Sequence, residues 1–339
     1  MPMRRTSSDS RVPESHAGST SVPTVSVVIA TYNRRDSLPA VLAPLLADAS
    51  ALEIVVVIDG SADGSLELLQ NVARSDTRVK PVQIENQGKM GARQAGVEAA
   101  QGEVVLLLDD DVIAGPGLVS GHAHAQSASP PHTVVVGYMP TRVPTKRTQD
   151  SFTTELYARA YENRCAEYMR DPSTILRDLW MGNLSMTRAD CLSVGIVSEN
   201  YTVRYHADRD FGLRCIKAGF RGVLIKELLA VHSHERPMNL FLRDAFDQGR
   251  GTALMHRLHG DILGGIDEGG LTDGMPPPAK MLVRASRNDR FRTALTPVVA
   301  AATRAAGSSH LYFAQIRLGQ LLRRIEFQRG VLEGATHGR

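Results

Sequence analysis

Three aspartates stand in a row at Asp109, Asp110 and Asp111, directly after the apolar run at residues 104–108. Adjacent carboxylates repel one another, so folding them together is costly unless a cation or hydrogen-bond donors sit among them. Such a cluster suits Mg²⁺ or Mn²⁺ bridging the oxygens of a diphosphate. Two other apolar runs end in side chains of chemical use. Asp59 follows residues 54–58, and Tyr32 follows residues 25–29 after a short break.

The elements that must carry these residues follow from the hydrophobic pattern. Residues 25–29, 54–58 and 104–108 are short β-branched or aliphatic runs, as expected of buried parallel strands, and residues 79–84 read as a further strand. Between them lie helical stretches at 38–46, 66–73 and 91–100. Asp36 and Ser37 are placed to cap the first, with Pro39 in its first turn. Strand–helix alternation over about 85 residues predicts a parallel sheet with covering helices. In such sheets ligands bind beyond the carboxyl ends of the strands, where Tyr32, Asp59 and the aspartate triplet fall.

The residues also exclude several chemistries. No glycine lies between Ile29 and Leu38, so the first turn lacks the close backbone approach of a dinucleotide site. There is no P-loop, no H-E-x-x-H and no G-x-S-x-G elbow. Cys165, Cys191 and Cys215 form no C-x-x-C pair, and their odd number reads as buried thiols in a reducing, cytoplasmic compartment. With 42 % hydrophobic and 22 % charged residues, the 339-residue chain has the composition of a globular protein, not of a disordered or fibrous one. No apolar run approaches the length of about 20 residues needed to span a bilayer. The net charge of +3 is too mild to suggest nucleic acid. It conceals an uneven distribution: residues 280–339 hold eleven Lys or Arg against three acids, so the rest of the chain is net negative.

Several segments together resemble a known family. VSVVIATYN (25–33), EIVVVIDGSADGS (53–65), NQGKMGARQAG (86–96) and EVVLLLDDD (103–111) are similar to the N-terminal half of a family 2 glycosyltransferase. WMGNLSMTRADCLSV (180–194) resembles its acceptor-side Gly-Asn segment, ADRDFGLRCIKAGF (207–220) its E-D-x-D-x-x-x-R helix, and His232-Ser233-His234 its late histidine. The resemblance implies an α/β GT-A fold: a Rossmann-like, mostly parallel central sheet flanked by helices, here with a helical C-terminal extension. It implies an inverting transfer of a sugar from a UDP, GDP or dTDP sugar to an acceptor hydroxyl, assisted by Mn²⁺ or Mg²⁺. A sugar-phosphate nucleotidyltransferase and a non-catalytic nucleotide-sugar-binding relative are the alternatives.

The implied donor contacts are Ala30, Tyr32, Asp59, Lys89, Arg93, Asp109 and Asp110, with Lys89 and Arg93 expected in a loop. Asp111 is the implied metal ligand, joined by His232 or His234; a neutral imidazole suits Mn²⁺ better than Mg²⁺. Gly182, Asn183 and Asp210 are the implied acceptor-side residues. Asp208 stands where the family has its general base, at a helix start that keeps a carboxylate ionised; Asp210 is the other candidate. Arg214 is expected to pair with a helix carboxylate. The chain departs from the pattern at Ala207, where the family has an acid, at Ile58 before Asp59, and at Gln94.

The expected organisation is a disordered leader (1–22), a nucleotide-sugar half (23–125), an acceptor half (126–259), a linker (260–280) and a basic helical extension (281–339). In that extension Leu311, Ala314, Leu318, Leu321 and Ile325 share one helical face, flanked by Arg317, Arg323 and Arg324. Packing on the catalytic domain, peripheral contact with an anionic membrane and pairing with a second copy are all compatible with that stripe.

Overall fold

The computed structural model describes residues 22–266, 272 and 274–336. The expected leader therefore lies outside the described residues except for Val22, as do parts of the expected linker.

β1 (Val25–Thr31), β2 (Ala51–Asp59), β3 (Val79–Ile84) and β4 (Val104–Asp109) are the four expected strands, joined through α1 (Leu38–Ala47), α2 (Ser65–Ser75) and α3 (Gly88–Ala99). They pair in parallel in the order β3-β2-β1-β4. All seven residues of β1 are buried, as a strand covered on both faces requires. The pleat sends alternate residues to two cores. Val27, Ile29, Ile54 and Leu106 pack with Leu38 and Leu42 on one face. Val28, Val55, Val57 and Leu107 pack with Ala92 and Val97 on the other. At Gly96 any Cβ would overlap Val28, so glycine lets α3 lie close on the sheet.

Two details depart from expectation. Ser37 precedes α1 but makes no capping bond with its side chain. The third helix begins at Gly88 rather than near Gly91, so Lys89 and Arg93 stand on its first turns and not in a loop. The glycines that lowered its helical propensity are tolerated because Gly91 and Gly96 sit against neighbours.

The sheet continues past β4. β7 (Asn183–Thr187) lies antiparallel between β4 and β6 (Thr133–Tyr138). β8 (Arg221–His232) follows parallel to β6, and short β5 (Val112–Ala114) closes the edge antiparallel to β8. Around this half pack α4 (Leu118–Ala128), α5 (Ser151–Arg170), the short α6 (Thr174–Arg177) and α7 (Arg188–Val194), and α8 (Ala207–Lys217).

The remaining described helices are α9 (Met238–Leu258), the short α10 (Gly260–Leu263), α11 (Pro277–Ala285), α12 (Asp289–Ser308) and α13 (Tyr312–Thr336). α13 packs along α9, where Gly249 and Gly330 bring backbone onto backbone. The expected apolar stripe is therefore corrected. Leu321 and Ile325 are buried, but Leu311 precedes the helix and is 60 % exposed. The buried face also takes in Gln315, Gly319 and Leu322, because close helix contact favours small residues as much as apolar ones. Packing on the catalytic body thus occupies this face. Among the described residues no helix is long and apolar enough to cross a membrane.

Candidate active site

The parallel register sets the carboxyl ends of three strands side by side. Ala30 pairs with Asp109, and Thr31 with Ile58, so Tyr32 and Asp59 emerge next to the aspartate triplet. Tyr32 is 52 % exposed and offers its ring at the rim. Asp59 is buried; its Oδ1 accepts the Gln87 N–H at 2.7 Å while Asn86 Nδ2 donates to its carbonyl. The rim is stitched by Ala62 N–H donating to Asn33 Oδ1 and Arg35 N–H to Asp63 Oδ2.

The three aspartates have three different environments. Asp109 is ion-paired on both oxygens, with Arg93 at 2.5 Å and Lys89 at 2.8 Å. Burial alone would raise its pKa, but the charges of Lys89 and Arg93 hold it well below the usual carboxylate range. Arg93 itself is buried and also donates to the Met181 carbonyl. Asp110 is pushed upward, by burial first and then by the Asp111 charge. Asp111 is also opposed by burial, yet the hydrogen bond from His232 holds it below the ordinary value.

His232 reaches Asp111 through sheet register. It pairs with Val112 across β5 and β8, Ser233 N–H donates to the Asp111 carbonyl, and His232 Nε2 lies 3.1 Å from Asp111 Oδ1. His234 completes the group: one ligand atom from each of Asp111, His232 and His234 falls within 4.8 Å of the others. Burial, and then the neighbouring His232, lower His234 to about 4, which keeps its imidazole neutral and able to ligate at neutral pH. A carboxylate with two imidazoles is a donor set that fits Mn²⁺.

Helix α5, which carries no motif legible in the sequence, supports this corner. Tyr157 stacks on His234 with ring centroids 4.0 Å apart, and Thr154 Oγ1 donates to the His234 carbonyl. A cavity of about 320 Å³ opens beside the cluster, lined by Arg34, Asp111, Arg142, His234, Glu235 and Arg236 among others. Arg34 lies 3.7 Å from Asp111 and 3.9 Å from Asp110.

The sequence model described as glycosyl transferase family 2 matches residues 26–190, from β1 to the start of α7. Residues 26–190, just under half of the chain, thus match glycosyl transferase family 2. Its curated relatives include the putative glycosyltransferase EpsH of Bacillus subtilis, 38 % identical over 90 residues, which is 26 % of each chain. The undecaprenyl-phosphate 4-deoxy-4-formamido-L-arabinose transferase of Aeromonas hydrophila is 38 % identical over 99 residues, 27 % of this chain and 30 % of that one. The matched stretches thus span under a third of these relatives. Among solved structures, a mannosyltransferase from Pyrobaculum calidifontis, in complex with GDP-Man and Mn²⁺, superposes with a TM-score of 0.54. That likeness is 17 % in sequence and covers 91 % of this chain and 88 % of the other, so it speaks for a GT-A fold.

The family 2 segment supplies the aspartates, Lys89 and Arg93; the histidines come from beyond it. Asp208 also lies beyond it, on the first turn of α8. Its Oδ1 accepts the Arg209 N–H at 3.0 Å, and it forms no ion pair among the described residues. Burial raises its pKa; Arg93, the Arg209 N–H, Lys89 and the Arg209 charge pull the other way without cancelling that rise. The phenol of Tyr157 is raised by burial first, and then by the charges of Asp109, Asp111 and Asp208.

Two of the implied acceptor-side residues are turned inward. Asp210 is 2 % exposed, with Arg214 at 2.9 Å on one oxygen and His259 at 2.7 Å on the other. The expected pairing of Arg214 is thus found within α8, and the His259 contact ties α8 to the end of α9. Asn183 is 1 % exposed; His122 holds its Oδ1 at 2.9 Å and its Nδ2 donates to the Leu228 carbonyl. Gly182 lies beneath Asp109, to which its carbonyl is bonded, and a Cβ there would come 3.1 Å from Asp109 Oδ2. Sequence reasoning overlooked Arg34, Arg142, Arg236 and Tyr157. Only Arg34, directly after the first strand end, carries a signal that position could have supplied.

Proposed function

We propose that this protein is an inverting glycosyltransferase that moves a sugar from a nucleoside diphosphate sugar to an acceptor hydroxyl. The observation that carries the reading is the Asp111–His232–His234 cluster beside a cavity lined by three arginines. In this reading Tyr32, at the neighbouring strand end, packs on the nucleobase and Asp59 accepts from it. Asp111, His232 and His234 hold a divalent ion, and Arg34, Arg142 and Arg236 add positive charge for the diphosphate. When bound, the ion stabilises the negative charge that develops on the leaving diphosphate. Asp208 takes the proton of the acceptor hydroxyl as its oxygen bonds to the anomeric carbon. The bond from that carbon to the diphosphate oxygen breaks, and the electron pair leaves with the nucleoside diphosphate. Burial makes Asp208 a stronger base than an exposed aspartate. Its lack of an ion pair leaves the carboxylate available. All three cysteines are free and buried, in keeping with a reducing, cytoplasmic setting.

Calorimetry with UDP, GDP and dTDP, with and without Mn²⁺, tests the reading. Binding of one of them that requires the metal is the expected result. Metal-independent binding, or no binding of any, would overturn it.

A further inference from the structure

The basic extension presents a surface that the fold leaves uncovered. One side of α12 is buried through Val299, Ala300 and Thr303. Its opposite side exposes Phe291, Ala294, Val298, Ala301 and Ala305, positions three or four apart that form one stripe along the helix. Val298 is 66 % exposed. Beyond α12, Leu311 before α13 and Phe313 in its first turn add two larger exposed apolar side chains, at 60 % and 74 %.

The charge around the stripe is mainly positive; Asp289 at the start of α12 pairs with Arg292. From residue 290 to residue 325 the chain carries six arginines and no Asp or Glu. Arg290, Arg304 and Arg317 are exposed, and none of them forms an ion pair among the described residues. We propose that the outer face of α12, with Leu311 and Phe313, docks on an anionic lipid bilayer. A shallow face of alanines, valine and phenylalanine flanked by arginines needs no shaped pocket opposite it. It matches the interface of a bilayer, where apolar side chains enter the headgroup boundary and arginines meet lipid phosphates. A second copy of the chain is disfavoured, because a two-fold contact would set a predominantly basic surface against itself.

The face is also wired to the candidate site. Arg147 stacks over the Tyr312 ring at 4.3 Å, and Gln315 Nε2 donates to the Gln149 carbonyl at 2.8 Å. The same chain segment begins at Arg142 and Pro144, which line the cavity beside the metal cluster. Docking would thus hold one wall of that cavity near the bilayer, where a membrane-borne acceptor is presented. The docking itself requires neither donor nor metal, so it stands or falls independently of the glycosyl-transfer reading.

Flotation of the full chain with phosphatidylcholine vesicles, with and without phosphatidylglycerol, tests it. The protein is expected to float with the anionic vesicles alone and to be released by high salt. Val298→Glu and Phe313→Glu each should lower the bound fraction about tenfold, with metal-dependent nucleotide binding unchanged. Arg304→Gln, which alters no apolar contact, should weaken binding less and reduce its salt dependence. Failure of the parent protein to float, or flotation unaffected by both glutamate variants, would overturn the proposal. So would a stable dimer in the absence of vesicles that Val298→Glu converts to monomer, since that would give the face to a second copy.

Discussion

Replacing Asp208 by Asn separates a base from a structural carboxylate. The carboxylate accepts one backbone N–H, from Arg209, and an asparagine carbonyl can accept the same bond. No arginine or lysine among the described residues is ion-paired to it, so the variant orphans no buried charge among them. Removing a general base costs about 10²- to 10⁴-fold in rate, or about 3–5 kcal/mol of transition-state stabilisation. The expected result is a loss of that size in kcat with donor affinity unchanged. Stability should move the other way. The folded-state pKa of Asp208 is raised by burial, so protonation favours the folded state and ionisation disfavours it. That contribution to stability is present at low pH and is lost as pH rises through the folded pKa. The Asn variant is therefore expected to melt at or above the parent temperature at neutral pH, with the difference vanishing in acid. In the parent enzyme the acid limb of kcat/KM should sit above the ordinary carboxylate value, because a protonated Asp208 cannot accept the acceptor proton. Sugar transfer followed by product chromatography, and thermal melts across pH, make the measurements. Retained transfer in the Asn variant, or a clear loss of stability at neutral pH, would refute the assignment.

Other outcomes follow from the same geometry. Asp111→Ala should reduce Mn²⁺-dependent nucleotide affinity at least about 100-fold, since it removes the only carboxylate of the three-residue cluster; calorimetry reads this directly. Arg93→Met should lower unfolding free energy by about 3 kcal/mol, because it strips a buried partner from Asp109 while Lys89 remains; urea denaturation measures it. Gly330→Ala should destabilise by about 2 kcal/mol or more, because the added methyl runs into the Phe246 carbonyl of α9. That loss would appear in melts without changing the metal dependence of nucleotide binding.

The donor half of the candidate site was largely legible in the chain itself. Aliphatic runs ending in Asp59 and Asp109 had to become parallel strands, and parallel strands place their carboxyl ends together. The histidines were legible as a pair, but not their proximity to Asp111. That depends on the antiparallel register of β5 with β8, which joins residues far apart in sequence. Asp210 and Asn183 looked equally available in a string of letters. Folding turned both inward, onto Arg214 and His259 in one case and His122 in the other. The C-terminal stripe was legible in part: Leu318, Leu321 and Ile325 pack inward, whereas Leu311 is exposed. Periodicity identifies a face that wants cover, whereas which residues meet α9 depends on glycines that let α13 close on it.

The sequence by itself determined the strand–helix alternation of the first half, the carboxylates at its strand ends and the sign of the charge in the extension. These follow from local patterns, because alternation, turn residues and charge need no distant partner. Only the tertiary structure decided which carboxylates are paired and which are free, which arginines meet around one cavity, and which apolar face stays open to solvent. Each of those is a contact between segments far apart in the chain, set by register and packing rather than by any residue's own preference.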